Sequence, residues 1–269
     1  MLSDDRRRTI DRYEGKWGSV RDFAARVVES GEGDLSRAVR RVEAEERELT
    51  LEPQAGMALG ERVTLPRAAM TGARRDLIQR ILLDACTAET AMVVELGSGG
   101  GMNLLNLHLW GGPRVSYHAL EPTESGRACT EILAALDPGL DLTTAPFDFE
   151  QPRYDALPRA DAHVLVFTVH SIEQVTEVPR EAITGLFGLG TSVTGVHFEP
   201  VGWQVGPEHD GRGTSQAYAD EHDYTRNLVP ALREAEADGR LVIDDIVVDV
   251  FGINPRNSTT AIRWRKASA

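Results

Sequence analysis

Two short stretches carry side chains able to move a proton near neutral pH. One is Phe167-Thr168-Val169-His170-Ser171-Ile172-Glu173, the other His197-Phe198-Glu199-Pro200-Val201-Gly202-Trp203. A histidine polarised by a glutamate is a general base suited to that range. His197 and Glu199 are two apart and project to one side of an extended backbone. His170 and Glu173 are three apart and share a face where the chain turns helical. A neighbouring carboxylate favours the imidazolium, so either pair predicts a histidine pKa above about 6.5. The same four residues also make a candidate His2Glu2 metal site for a chelating hydroxyl substrate. The dyad is the simpler reading, because it requires only one pair to be placed correctly.

Each stretch follows a buried-strand pattern, His163 to Val169 and Ser192 to Phe198. Reacting groups in an open α/β sheet gather at the carboxyl ends of its strands, so adjacent strands would unite all four residues. From Ala91 onward strand and helix patterns alternate, which predicts a parallel α/β sheet. Val115 to Leu120 and Leu140 to Ala145 read as further strands, Glu124 to Leu136 and Glu221 to Ala237 as helices. Leu241 to Phe251 and Thr259 to Trp264 read as two closing strands joined by a Gly252-to-Asn257 turn.

The stretch that orders the rest is Met92-Val93-Val94-Glu95-Leu96-Gly97-Ser98-Gly99-Gly100-Gly101-Met102-Asn103. An apolar run stops at a carboxylate, a glycine-rich turn follows, and Leu104, Leu105 and Leu107 open a helix. Glycines suit a sharp turn with positive φ that a ligand approaches closely, and helix-terminal N–H groups then face that ligand. A dinucleotide fingerprint G-x-G-x-x-G would need its third glycine at Met102, which argues against an NAD(P)-dependent oxidoreductase. The run Glu95-x-Gly97-x-Gly99-x-Gly101 instead resembles the first motif of the class I S-adenosylmethionine (SAM)-dependent methyltransferases.

The resemblance covers roughly residues 90 to 265. It implies a Rossmann-like seven-stranded sheet ending in an antiparallel hairpin, with SAM as cofactor. It places Glu95 near the aminoacid end of the cofactor, and Gly97, Ser98, Gly99, Gly101 and Asn103 on the turn against methionine and ribose. Glu121 ends the second strand, where nucleotide folds put a carboxylate to accept the ribose hydroxyl protons. Phe147-Asp148-Phe149 stands where this fold sends Asp148 to the adenine amino group and Phe149 to its ring, and Thr168 should line the cofactor through its backbone. The implied reaction is in-line methyl transfer to O or N of a small molecule or short peptide, with a His/Glu base. A metal-assisted O-methyltransferase using a divalent ion is the alternative; a noncatalytic partner subunit of the same fold is a further one. Thr168-Val169-His170-Ser171 lacks the Asn/Asp-Pro-Pro-Tyr/Phe signature of enzymes that methylate exocyclic base nitrogens.

Residues 1–88 read as a helical cap or lid, and 89–269 as the SAM-binding domain. Val20, Phe23, Ala24 and Val27 form one helical face, and Leu35, Val39 and Val42 a second. Leu77, Ile78, Ile81, Leu82 and Ala85 mark a third helix. Gln54 to Val63, with Gly56 and Gly60, reads as a mobile connection. Tyr13 and Trp17 share a helix face that could reach a ligand. Trp203 and Tyr224 are candidates for an acceptor pocket, and His209 and His222 for a substrate-side loop between Gly206 and Asp223.

A formal net charge of −13 lacks the basic footprint of a nonspecific nucleic-acid binder. Two cysteines, Cys86 and Cys129, make no disulfide framework. The charged Asp4-to-Arg8 segment precludes a secretory h-region there, and no apolar run approaches spanning length. The expected protein is soluble and cytoplasmic, with a homo-oligomer left open. Its composition and helical cap fit a tailoring enzyme of natural-product biosynthesis.

Overall fold

The computed structural model describes residues 2–206 and 214–268. In chain order, the elements begin with α1 (Asp4–Glu29), α2 (Leu35–Glu46), β1 (Pro53–Ala58), β2 (Glu61–Pro66) and α3 (Arg67–Ala85). Then come β3 (Thr90–Leu96), α4 (Met102–Leu109), β4 (Ser116–Leu120), α5 (Glu124–Ala134), β5 (Leu142–Ala145) and β6 (Ala160–Val169). The chain continues through α6 (Arg180–Thr184), β7 (Gly190–Glu199), α7 (Thr214–Glu221), α8 (Leu228–Ala237), β8 (Leu241–Gly252) and β9 (Thr259–Lys266).

One sheet runs in the order β2-β1-β8-β9-β7-β6-β3-β4-β5. β3 is central because its side chains are apolar on both faces, as a strand between parallel neighbours requires. Met92, Val94 and Leu96 face a cluster that includes Leu228 and Leu232 of α8. Val93 faces the opposite one, with Ile78 and Leu82 of α3 and Leu104 of α4. β4, β6 and β7 extend the parallel set, and the register pairs Glu95 with Ala119 and Phe167, and Thr168 with His197. These strands therefore end level, and their loops share one edge. β9 joins β7 antiparallel, and β8 joins β9 the same way.

Among the described residues the sheet has nine strands rather than the expected seven. The extra pair, β1 and β2, lies where the sequence suggested a connection. It is an antiparallel hairpin whose first strand adds to β8 through Met57–Gly252 and Ala58–Phe251. Its turn uses Leu59 at φ 50° and Gly60 at φ 77°, two left-handed residues, as a type I′ turn requires. Leucine is a poor residue for that position, and most of the hairpin is exposed, so neither turn chemistry nor alternating burial announced it.

Of the helix expected over Glu221 to Ala237 only Leu228–Ala237 forms, as α8; Glu221 ends α7, and a loop joins the two. Asp223 enters the left-handed region at φ 54°, and the segment after it bonds sideways, Thr225 N–H to Glu173 O and Arg226 N–H to Thr176 O. A third apolar cluster joins Val20, Ala24 and Val27 of α1, and Val39 and Val42 of α2, to Leu105 of α4 and Leu133 of α5. The N-terminal helices thus pack against helices of the sheet. Among the described residues no helix is long and apolar enough to cross a membrane.

Candidate functional site

The turn after β3 puts Gly97, Gly99 and Gly101 at φ 71°, 55° and 79°, a region L side chains rarely adopt. Gly97 N–H and Ser98 N–H both donate to Leu120 O, tying the turn to the end of β4. A Cβ on Gly97 would stand 2.4 Å from Ser171 Cβ, one on Gly99 2.2 Å from the Trp17 ring, and one on Gly101 2.5 Å from Thr130 Oγ1. The protein's own side chains, together with the backbone, therefore demand the glycines. Trp17 of α1 lies against the turn.

Beside this turn is a cavity of about 340 Å3. Gly97, Ser98, Gly99 and Asn103 form its floor, with Glu121 and Phe149 on one flank and His170 and Glu173 on another. Eight of the expected site residues thus face one space. Glu95, Gly101, Asp148, Thr168, His197 and Glu199 do not line it.

Glu121 is 4% exposed and holds the turn from beneath. Its Oε2 accepts from Gly99 N–H at 2.9 Å, while Oε1 accepts from Thr123 N–H at 3.2 Å and Thr123 Oγ1 at 2.6 Å. Burial raises its pKa, against the lowering effect of these donors. Glu95 lies under the start of α4: Asn103 Nδ2 donates to its Oε1 at 2.7 Å, and Oε2 is buried with no hydrogen-bond partner among the described residues. Burial pushes its carboxyl up to about 8. Asp148 is turned toward α1, where its Oδ2 accepts from Arg6 Nε at 2.7 Å. That pair, with Arg6 Nη1 on Gln174 O, fastens the start of α1 to the loops after β5 and β6. Phe149 packs edge-on to Phe147 at 5.0 Å between ring centres.

His170 follows β6 in the left-handed region, at φ 51°. A non-glycine residue there is strained, and such strain persists where surroundings hold it. Its Nε2 lies 2.7 Å from Thr259 Oγ1, and its Nδ1 3.0 Å from Glu173 Oε2, without the alignment of a full hydrogen bond. The carboxylate was expected to raise the histidine's pKa. The structure reverses that direction: desolvation outweighs Glu173, helped by the charges of Arg74 and Arg47, and the pKa falls below the ordinary value.

His197 and Glu199 are not brought together as a dyad. Trp264 Nε1 donates to His197 Nε2 at 2.9 Å; an indole nitrogen only donates, so the imidazole proton is on Nδ1, 3.1 Å from Thr168 Oγ1. With 1% exposure and no partner carboxylate, His197 has its pKa driven down to about 4. Glu199 accepts from the backbone N–H groups of Ser171, Ile172 and Glu173 at 3.1, 3.2 and 3.3 Å. It therefore anchors the loop that presents His170, and burial with Glu173 nearby raises its pKa. The proposed His2Glu2 cluster does not form: among the described residues no group of three or more His, Cys, Asp or Glu could hold a metal ion.

Tyr13 and Trp17 both line the cavity, as their shared helix face suggested. Burial, with Glu173 adding to it, pushes the Tyr13 phenol up to about 12. Trp203 and Tyr224 do not line it. His222 stacks on Tyr218 at 4.0 Å away from this cavity, and His209 lies outside the described residues. The sequence reading missed Arg47, Arg67 and Arg74, and the β8–β9 residues Asn254, Asn257 and Thr259, all on the cavity wall. The arginines come from the end of α2 and from α3, and no spacing in the chain marks them.

With this geometry in place, comparison with solved structures is informative. Geranyl diphosphate methyltransferase, in complex with GPP and sinefungin, aligns with TM-score 0.51 at 10% identity, over 76% of this chain and 81% of that one. Magnesium protoporphyrin IX methyltransferase from Synechocystis PCC 6803 with SAH gives 0.49 at 13%, over 75% and 86%. A SAM-dependent methyltransferase from Aquifex aeolicus gives 0.45 at 14%, over 70% and 88%. No family model matches the chain, and no curated protein does. The chain has the class I SAM-dependent methyltransferase fold.

Proposed function

We propose that this protein transfers a methyl group from SAM to an oxygen or nitrogen of a small molecule or short peptide. The observation that carries the reading is a single cavity joining the glycine turn and Glu121 to His170 and Glu173. The residues suit the cofactor: a left-handed glycine floor, a buried carboxylate at the end of β4, the Phe149 ring beyond it, and the unpartnered Ser98 hydroxyl. Gly97, Ser98, Gly99 and Asn103 would hold its aminoacid portion, Glu121 the ribose hydroxyls and Phe149 the adenine. SAM supplies an electrophilic methyl group there.

The chain's own part is positioning and proton removal. Glu173 lies beside Nδ1 and favours the ring proton there, so Nε2 is the basic nitrogen and accepts from the Thr259 hydroxyl. The proton that the acceptor oxygen or nitrogen loses on forming its new bond to carbon passes to Nε2 through that hydroxyl. The depressed pKa keeps His170 neutral, and so ready as a base, at pH 7. Helix α1 lines one side of the site and limits water around it; within residues 1–88 we assign the cap to α1 and α2 alone, since β1 and β2 belong to the sheet and α3 packs on it. The test is calorimetry with S-adenosylhomocysteine (SAH) and NADH. SAH should bind in the micromolar range and stabilise the fold by about 2–3 kcal/mol at a hundredfold excess over Kd. Heat from NADH and none from SAH would end this reading in favour of an oxidoreductase.

A further inference from the structure

The cavity wall holds more positive charge than the cofactor site explains. Arg74 of α3 is half-buried and faces into it, and its guanidinium makes no hydrogen bond and no ion pair among the described residues. Two other wall cations have carboxylate partners, Arg6 on Asp148 and Lys16 Nζ 3.1 Å from Glu46 Oε1, while Arg67 donates to a backbone carbonyl. A guanidinium has five N–H donors and is costly to enclose without acceptors.

Arg47 adds to the imbalance rather than relieving it. Its Nε is 3.3 Å from Glu46 Oε2, a carboxylate already shared with Lys16. Its backbone carbonyl accepts from Arg67 Nε at 2.8 Å, which fixes the loop carrying it beside α3. Arg74 is open to the cavity but surrounded by protein on its other sides, and desolvation followed by the charge of Arg47 depresses its pKa to about 10. Glu173, Glu46 and Glu199 act on it from a distance without reaching hydrogen-bond contact. Arg47, Arg74 and His170 line the same cavity, and the charge of both guanidiniums reaches the imidazole. In a chain of net charge −13, two like charges held together inside a cleft are not a consequence of composition.

We propose that Arg74 and Arg47 form an anion-binding subsite beside His170, so that the methyl acceptor carries a carboxylate or phosphate group. This deepens the proposed methyl transfer and rests on it. Planar guanidinium forks recognise both groups through paired N–H donors. An anion there satisfies Arg74, offsets the repulsion from Arg47 and fixes the acceptor at one end, leaving its hydroxyl or amine free to meet His170. The apo protein holds the two arginines in place through α3 packing and the Arg67 contact, so the subsite exists before the acceptor arrives.

The test titrates SAH-saturated protein with inorganic phosphate, pyrophosphate and succinate by calorimetry at low ionic strength. At least one should bind with a millimolar or lower Kd, and the strongest shows whether the natural group is a phosphate or a carboxylate. Arg74→Gln and Arg47→Gln should each weaken that anion at least tenfold while SAH affinity stays within twofold. Arg74→Lys, which keeps the charge and loses the fork, should fall between. Because Arg74→Gln removes a half-buried charge that has no ion-pair partner among the described residues, its Tm should equal or exceed that of the wild type. The proposal is overturned if no anion binds the SAH complex, or if binding is equal in Arg74→Gln. A tenfold loss of SAH affinity in Arg74→Gln would also overturn it, by assigning the guanidinium to the cofactor's carboxylate. Failure of the wild type to bind SAH would instead sink the methyl-transfer reading, since anion binding to the apo protein can be measured separately.

Discussion

Replacing Glu121 with alanine should damage both the empty protein and its cofactor complex, by amounts that follow from its contacts. The carboxylate accepts from Gly99 N–H, Thr123 N–H and the Thr123 hydroxyl. The hydroxyl can turn elsewhere, but the two buried backbone donors cannot. A stranded buried donor costs about 1–3 kcal/mol, and part of that is offset because the desolvated charge disappears with the side chain. A net loss of about 2–4 kcal/mol in apo stability follows. The cofactor should lose about 1.5–3 kcal/mol more, a Kd raised roughly ten- to 150-fold, as expected for hydrogen bonds to a charged acceptor. Glu121→Gln keeps one carbonyl for either Gly99 or Thr123 and should fall between. Urea unfolding of the apo variants measures the first quantity, and calorimetry with SAH the second. If a folded Glu121→Ala variant bound SAH within twofold of wild type, the ribose would lie elsewhere. Unchanged apo stability would show that the carboxylate does not brace the glycine turn.

Three further expectations come from the same site. His170→Asn should bind SAH normally and lose about two to four orders of magnitude in methyl transfer, yet match or exceed wild-type stability because asparagine tolerates the left-handed backbone; in the wild type, NMR titration of His170 should give a midpoint below 6.5, and one above it would refute the balance of burial over Glu173. His197 is neutral in the fold with a pKa near 4, so its contribution to stability is present above about 6.5 and is lost as pH falls toward 4, up to about 3 kcal/mol. Urea midpoints at pH 7 and 4.5 should therefore separate less in His197→Gln than in wild type, and equal separations would count against it. Gly99→Ala should cost about 1–3 kcal/mol from φ and the Trp17 clash together, measured by urea unfolding, and the cost should shrink in a Trp17→Ala background.

The amino-acid sequence by itself determined the central sheet and its ligand-facing turn. Alternation of buried strands and helices is a local property, and Glu95-x-Gly97-x-Gly99-x-Gly101 states in sequence where the backbone must turn with positive φ. Glu121 and the His170–Glu173 pair were readable for the same reason, since each lies at the end of a strand whose direction the pattern defines. Tertiary structure decided the rest. His197 and Glu199 show the same chemistry in sequence as His170 and Glu173, but pairing across β6, β7 and β9 turns them inward. There Trp264 takes one and three backbone N–H groups take the other. The His170 pKa moved opposite to expectation because burial, which spacing cannot reveal, exceeded the effect of the neighbouring carboxylate. The β1–β2 hairpin escaped notice because its pairing with β8 spans most of the chain and its turn uses Leu59. Arg47 caps α2 and Arg74 lies on α3, and only the packing of those helices around the site brings an unpaired guanidinium and one that shares its carboxylate with Lys16 into the same cavity as the base.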